Sequence, residues 1–115
     1  MDTEMKATWI KALRSGEYTQ CFGTTYHFEN GKKCNCALGV LAAACLGAEF
    51  DENSPFLMAA DPEKGWRKAQ VGVMFGYEAR RRVNMSIPDR DLVVNWNDRC
   101  RLTFPEIADK IEEYL

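Results

Sequence analysis

Histidine occurs once in this chain of 115 residues, at His27. A metal site or catalytic array that needs two imidazoles is therefore excluded, and any Ser-His-Asp or Cys-His arrangement would have to pass through that one side chain. No glycine-rich phosphate loop, ordered Ser-His-Asp set or spaced carboxylate pair stands out. Long apolar runs are missing as well. The longest uncharged stretch, Cys34 to Ala48, falls short of the roughly 20 residues that a helix needs to span a bilayer. The opening Met-Asp-Thr-Glu-Met-Lys has no apolar signal core, so neither export nor a membrane partner is expected. The net charge is only −2, which gives no overall pull toward nucleic acid, and no nucleic-acid reading motif is present. We find no internal repeat, linker or low-complexity segment.

Cysteine is present, but in an odd number: Cys21, Cys34, Cys36, Cys45 and Cys100. Two of these fall inside an apolar segment. Reduced thiols packed as small hydrophobes fit this pattern better than a disulfide framework. Cys34-x-Cys36, with Cys21 and His27 upstream, comes nearest to a metal site. Zinc takes four N or S ligands in a tetrahedron, commonly presented as closely spaced pairs. One such pair with a loose cysteine and a lone histidine is a weak match, and no cofactor is expected. Cys36 at a helix N-terminus would gain some thiolate stabilisation. Nothing in the sequence places His27 beside a thiol, and its simpler reading is a residue on a hairpin surface.

With 46% hydrophobic and 28% charged residues, the composition is that of an ordered globular domain, and the length suits a single domain over 1–115. The central element is Cys36-Ala-Leu-Gly-Val-Leu-Ala-Ala-Ala-Cys45-Leu46. It has no polar face, so the expectation is a helix buried on all sides, capped by Asn35 and ended by Gly47. A first helix, capped by Asp2 or Thr3, places Met5, Trp9, Ile10 and Leu13 on one face and stops at Ser15-Gly16. Tyr18 to Lys33 is strand material. Asn30-Gly31 is a favoured two-residue hairpin turn, with strands expected at about 22–28 and 32–35. Residues 48–65 read as an irregular loop pinned by Phe56, Leu57 and Met58, and about 73–84 as a helix. Ile87-Pro88 reads as a break, followed by a short helix capped by Asp89 and holding Leu92, Val93 and Trp96. Thr103-Phe-Pro-Glu106 is a capping box opening a last helix with Phe104, Ile107, Ala108, Ile111 and Leu115 on one face. The fold class is α+β: a mainly helical domain with a β-hairpin packed on a central buried helix.

Charge is segregated along the chain. Residues 48–65 hold five acids and one base, whereas residues 66–101 hold eight bases and four acids. Arg80, Arg81 and Arg82 could bind phosphate or an acidic partner, although on a helix they fan apart and cannot all face one ligand, so a solvated face is the simpler reading. Asn95-Trp96-Asn97-Asp98 reads most simply as a helix terminus, with Trp96 filling core. A ligand-binding corner is the sharper alternative.

Three separated pieces carry a resemblance. Trp9-Ile-Lys-Ala-Leu-Arg-Ser-Gly-Glu-Tyr-Thr-Gln20, Cys36-Ala-Leu-Gly-Val-Leu41, and Asn97-Asp98 followed by Thr103-Phe-Pro-Glu-Ile-Ala-Asp-Lys-Ile-Glu112 occur in that order. Together they resemble a family of small phage and prophage proteins with the pattern W-x-x-A-L-R-S-G-x-Y-x-Q … C-L-G-V-L … L-N-D … S/T-F-x-E-I-A-D-x-I. This chain departs from the pattern in having Cys-Ala-Leu-Gly for Cys-Cys-Leu-Gly and Trp96 for leucine, and its middle, 48–90, matches poorly. No catalytic residue is carried over. The resemblance implies a setting, that of a virus-encoded accessory protein in the host bacterial cytoplasm; from that context, and without catalytic motifs, the expectation is non-enzymatic binding of a host factor, with antiviral defence as a candidate target. For a host protein, the contacts expected are the acidic loop with Asp51 and Glu52 and the arginine segment. The alternative is a small-molecule binder that sequesters an anionic nucleotide signal with Arg80, Arg81, Arg82, Tyr77 and Trp96. A zinc module or a virion-assembly subunit would be further rivals, and the oligomeric state is open.

Overall fold

The side chain that organises the interior is Trp9. It is fully buried, and its indole Nε1–H donates to the carbonyl of Ala37 at 2.9 Å. This ties helix α1 (Thr3–Arg14) to the first turn of the central helix α2 (Ala37–Leu46). A computed structural model describes residues 1–24, 26–50, 56–59, 69–70 and 83–115.

Helix α1 starts as expected. Asp2 is its N-cap and accepts from the Met5 amide at 2.9 Å. Ser15 closes the last turn and Gly16 takes a left-handed φ of 76°. After a short loop, Thr19 to Cys21 runs beside strand β2 (Lys32–Asn35) with a parallel bridge at Gln20 and Asn35. The Cys21 amide donates to the Asn35 carbonyl at 2.9 Å, and the Asn35 amide to the Thr19 carbonyl at 2.8 Å. On its other edge β2 pairs antiparallel with β1 (Tyr26–Glu29), with His27 opposite Cys34. The left-handed φ values of Asn30 and Gly31, 52° and 77°, are those of the tight turn read from the sequence.

The first strand is shorter than expected. The extended run predicted from residue 22 is interrupted by Gly23, which turns through a φ of 75°. The helix cap also differs. Asn35 ends β2, and Cys36 is the N-cap of α2 but contributes no side-chain capping bond. Helix α2 is buried continuously from Ala37 to Ala42 and again at Leu46, with residues 43–45 half-buried, and Gly47 ends it with a φ of 64°.

Residues 48–65, expected to be irregular, include strand material. Strand β3 (Ala48–Phe50) pairs antiparallel with β4 (Phe56–Ala59), and β4 with β5 (Ala69–Gln70). The apolar run at 56–59 and the alternation at 48–50 favour pairing over a pinned loop. The expected helix at about 73–84 lies almost wholly outside the described residues. Val83 and Met85, at its end, are buried, and the Val83 carbonyl accepts from the Asp2 amide at 3.2 Å.

Helix α3 (Ile87–Val94) begins earlier than read. Ser86, not Asp89, is the cap, accepting from the Asp89 amide at 3.2 Å, and Pro88 sits in the first turn instead of breaking the chain. Val93 and Trp96 face inward, but Leu92 is exposed. The α-helix passes into one turn of π-helix, Asn95–Arg99. Helix α4 (Phe104–Tyr114) opens with the complete capping box and packs Ile107, Ala108 and Ile111 into the same core as Trp9, Val40, Leu41 and Val93. On the surface, Arg14 of α1 bridges Asp109 and Glu112 of α4 at 2.7 and 2.8 Å. Solvent screens this pair, so the α1–α4 contact rests on burial. The arrangement is the expected α+β domain, mainly helical, with a hairpin beside the central helix. Among the described residues no helix is long and apolar enough to cross a membrane.

Candidate functional site

The π turn sets up the most organised polar feature of the molecule. Its wide ring is closed by the Cys100 amide donating to the Asn95 carbonyl at 2.9 Å, five residues back. Trp96 and Asn97, neighbours in sequence, are both buried there, at 8% and 1% exposure.

Asn97 is hydrogen-bonded to capacity. Its Oδ1 accepts from Gln20 Nε2 at 3.0 Å and from the Ala37 amide at 3.2 Å. Its Nδ2 donates to the Cys21 carbonyl at 3.0 Å and to Asp98 Oδ1 at 2.7 Å. Two lone pairs and two N–H groups are all that a carboxamide has, and each is used. The sequence reading made Asn97 a terminator of its own helix. It is instead the missing cap of α2, supplied from 60 residues away. Gln20 extends the network by donating to the Leu102 carbonyl at 2.7 Å. Trp9, Gln20, the start of α2 and Asn97-Asp98 therefore meet at one node. These residues lie in the three motif pieces singled out in the sequence, and here they serve architecture.

The node fixes an exposed corner. Asp98 Oδ1 accepts from the Gly23 amide at 2.9 Å, clamping the bend that shortens β1. The neighbouring Phe22 ring is 39% exposed, with the Arg101 guanidinium 4.8 Å from its centroid. Arg101 has a φ of 50°, a left-handed conformation that costs a non-glycine residue energy. Beside Asp98 lies an open groove of about 410 Å³ lined by Asp91, Val94, Asn95, Asp98 and Arg99. Arg99 is exposed and has no ion pair or hydrogen bond among the described residues. An aromatic ring, two guanidinium groups and carboxylates thus stand on a framework ordered in advance, which equips the corner for recognition.

The thiols are placed differently. Burial pushes Cys36 up to about 11, outweighing the backbone amides of Leu38 and Gly39 that favour the thiolate. The expected gain from the helix N-terminus is present but smaller than the desolvation. Burial also raises Cys45 to about 11, and its Sγ donates to the Met5 carbonyl at 3.3 Å. Cys21 is raised as well, first by burial and then by hydrogen-bond contact with Cys34. At neutral pH these three are thiols, the weakly nucleophilic form. The β1–β2 register places His27 opposite Cys34 on one face of the hairpin, a proximity that spacing alone did not reveal. Among the described residues no group of three or more His, Cys, Asp or Glu side chains is arranged to hold a metal ion.

Of the candidate contact residues, Arg80, Arg81, Arg82, Tyr77, Asp51 and Glu52 lie outside the described residues. Trp96 is in the core against Tyr114, with ring centroids 6.2 Å apart. The corner residues Phe22, Gly23, Arg99 and Arg101 escaped sequence reasoning. The Asn95–Asp98 alternative pointed toward them, because a polar run interrupting a helix is the visible trace of a π turn.

A family model matches residues 1–115, the whole chain. The chain belongs to the family described as Domain of unknown function (DUF8296). Neither curated proteins nor solved structures give a match. That match covers 48–90 together with the rest of the chain.

Proposed function

We propose that this DUF8296 protein is a phage or prophage accessory protein that works by recognition, binding a host protein in the bacterial cytoplasm, with antiviral defence as the process it blunts. The biological setting rests on the motif resemblance. The mode of action rests on one observation: the exposed Phe22–Arg101 pair and the adjoining Arg99 groove stand on a fully satisfied buried carboxamide. Aromatic and arginine side chains dominate binding energy at protein interfaces, and a surface ordered beforehand loses less entropy on docking. The raised thiols of Cys36 and Cys45 agree with a role outside nucleophilic catalysis.

The test is a pull-down from bacterial lysate with wild type and a Phe22→Ala/Arg99→Glu variant. Both positions are exposed, so the variant should keep the wild-type melting temperature. A stoichiometric partner held by wild type and lost by the variant is the expected result. No such partner, or equal recovery with both, overturns the reading. A second reading, capture of an anionic nucleotide, is favoured by the groove volume, within the range of small-ligand sites, and by Arg99. It loses Trp96 as a stacking platform, since that ring is core. A ligand at 100 times its Kd would stabilise the fold by about 2.7 kcal/mol, which a thermal-shift nucleotide panel would detect.

A further inference from the structure

Away from the corner, one face of the β1–β2 ribbon carries an arrangement of thiols that the recognition reading does not use. Because Gln20 and Asn35 are bridged in parallel, the residues flanking them, Cys21 and Cys34, project from the opposite face of the ribbon. Both are half-buried and sit diagonally on neighbouring segments, since the parallel register sets Cys34 across from Thr19 and Cys21 across from Cys36, and the Cys34 thiol lies close enough to disfavour ionisation of Cys21. His27, opposite Cys34, shares that face. Cys34 also lines a second open cavity, of about 340 Å³, together with Thr19, Asn30, Lys32 and Lys33. A sulfur at the wall of a solvent-open hollow beside two ammonium groups, with a second thiol against its back, combines an accessible attacking group, an attraction for anionic reagents and a resolving partner.

We propose that Cys34 is a thiol–disulfide exchange site for low-molecular-weight disulfides that carry carboxylates, with Cys21 as the resolving cysteine. The Cys34 thiolate attacks one sulfur of the small disulfide, whose S–S bond breaks. A mixed disulfide forms on Cys34, and the first small thiol leaves as a thiolate that takes up a proton. Cys21, losing its proton to solvent, then attacks the Cys34 sulfur and expels the second small thiol. Two protein thiols are oxidised to one disulfide and one small disulfide is reduced to two thiols. The order follows from the geometry: Cys34 lines the open cavity and meets the reagent first, whereas Cys21 is not among the described residues that line it. Closing the bond draws the sulfurs to about 2.05 Å. The new crosslink would fasten the segment leading to Phe22 and Gly23 onto β2.

The full chain treated with glutathione disulfide and mapped by peptide mass spectrometry decides the matter. Wild type is expected to lose the mass of two hydrogen atoms and yield a Cys21–Cys34 crosslinked peptide. Cys21→Ser should stop at one glutathione on Cys34, and Cys34→Ser should slow loss of the Cys21 thiol at least ~10-fold. Lys32→Ala should slow the reaction with glutathione disulfide about threefold or more while leaving an uncharged disulfide, hydroxyethyl disulfide, unaffected. Modification confined to Cys100, a mixed disulfide on Cys34 that persists in wild type, or no reaction would each overturn the proposal. The wild-type map stands whether or not the variants fold.

Discussion

A single carboxamide decides how three remote pieces of this chain are joined. Removing the Asn97 side chain would orphan the Ala37 amide, one Gln20 N–H and the Cys21 carbonyl around a buried site. Each buried group left unpaired costs on the order of 1–3 kcal/mol, with partial relief from water. Asn97→Ala should therefore destabilise the fold by about 2–4 kcal/mol, measured as a lower urea midpoint at unchanged m-value. Asn97→Asp should be at least as costly, because it replaces two donors with an acceptor facing the Asp98 carboxylate and the Cys21 carbonyl. If Asn97→Asp unfolds at the wild-type urea concentration, the hub assignment fails. Trp9→Phe is a milder probe of the same node. It keeps most of the buried ring and deletes the indole N–H bond to the Ala37 carbonyl, at a cost of about 1 kcal/mol, because that carbonyl keeps its helix bond. None of this was legible at Asn97 itself. A sequence shows that an Asn follows a Trp in a polar run, but its partners lie 60, 76 and 77 residues away.

The elements differ in how plainly their ends were written. Helix α4 was fully legible, because a capping box closes within four residues: Thr103 and Glu106 satisfy each other's amides with no help from elsewhere. Thr103→Ala should cost about 1 kcal/mol, read from thermal melts. The box also has a pH signature. The Thr103 amide and hydroxyl hold the Glu106 carboxyl below its ordinary 4.5. The unfolded chain then binds that proton more readily than the folded one, so the contribution is present above 4.5 and is lost as the pH falls through the lower folded value. Glu106→Gln should flatten that acid limb of the stability profile, and an unchanged limb would argue against it. Helices α2 and α3 were harder. For α2 the eye goes to Asn35, a good capping type, yet its backbone is committed to β2 and its own Nδ2 has no hydrogen-bond partner among the described residues, so Cys36 caps by position and Asn97 by contact. For α3, Ser86 and Asp89 are both capping types three residues apart, and Pro88 suits a break or a first turn equally well. Tertiary contacts make those choices, and a local window does not contain them.

At the scale of the molecule, the apolar character of 36–46 did foretell the architecture: a chain with one featureless segment must wrap its amphipathic elements around it. Its limits are equally physical. Nothing in the segment says which elements seal its ends, and the answer lies in Trp9 and Asn97 at the N-terminus and Gly47 at the C-terminus. This arrangement predicts a gradient of local stability. The amides of Val40 to Ala42 lie in the fully buried stretch of α2, packed by α1 and α3, so their exchange with solvent should require global unfolding. The amides of 22–24 lie on the surface and should exchange far faster, with Gly23 protected relative to its neighbours through Asp98. Asp98→Ala should erase that local protection and leave α2 unchanged, since the Asn97 bonds to Ala37, Gln20 and Cys21 do not pass through the carboxylate. Hydrogen-exchange mass spectrometry with fragment-level resolution separates these outcomes. If α2 and the 22–24 bend lose protection together in Asp98→Ala, the corner and the core form one cooperative unit. The recognition surface could not then adjust to a partner without loosening the core.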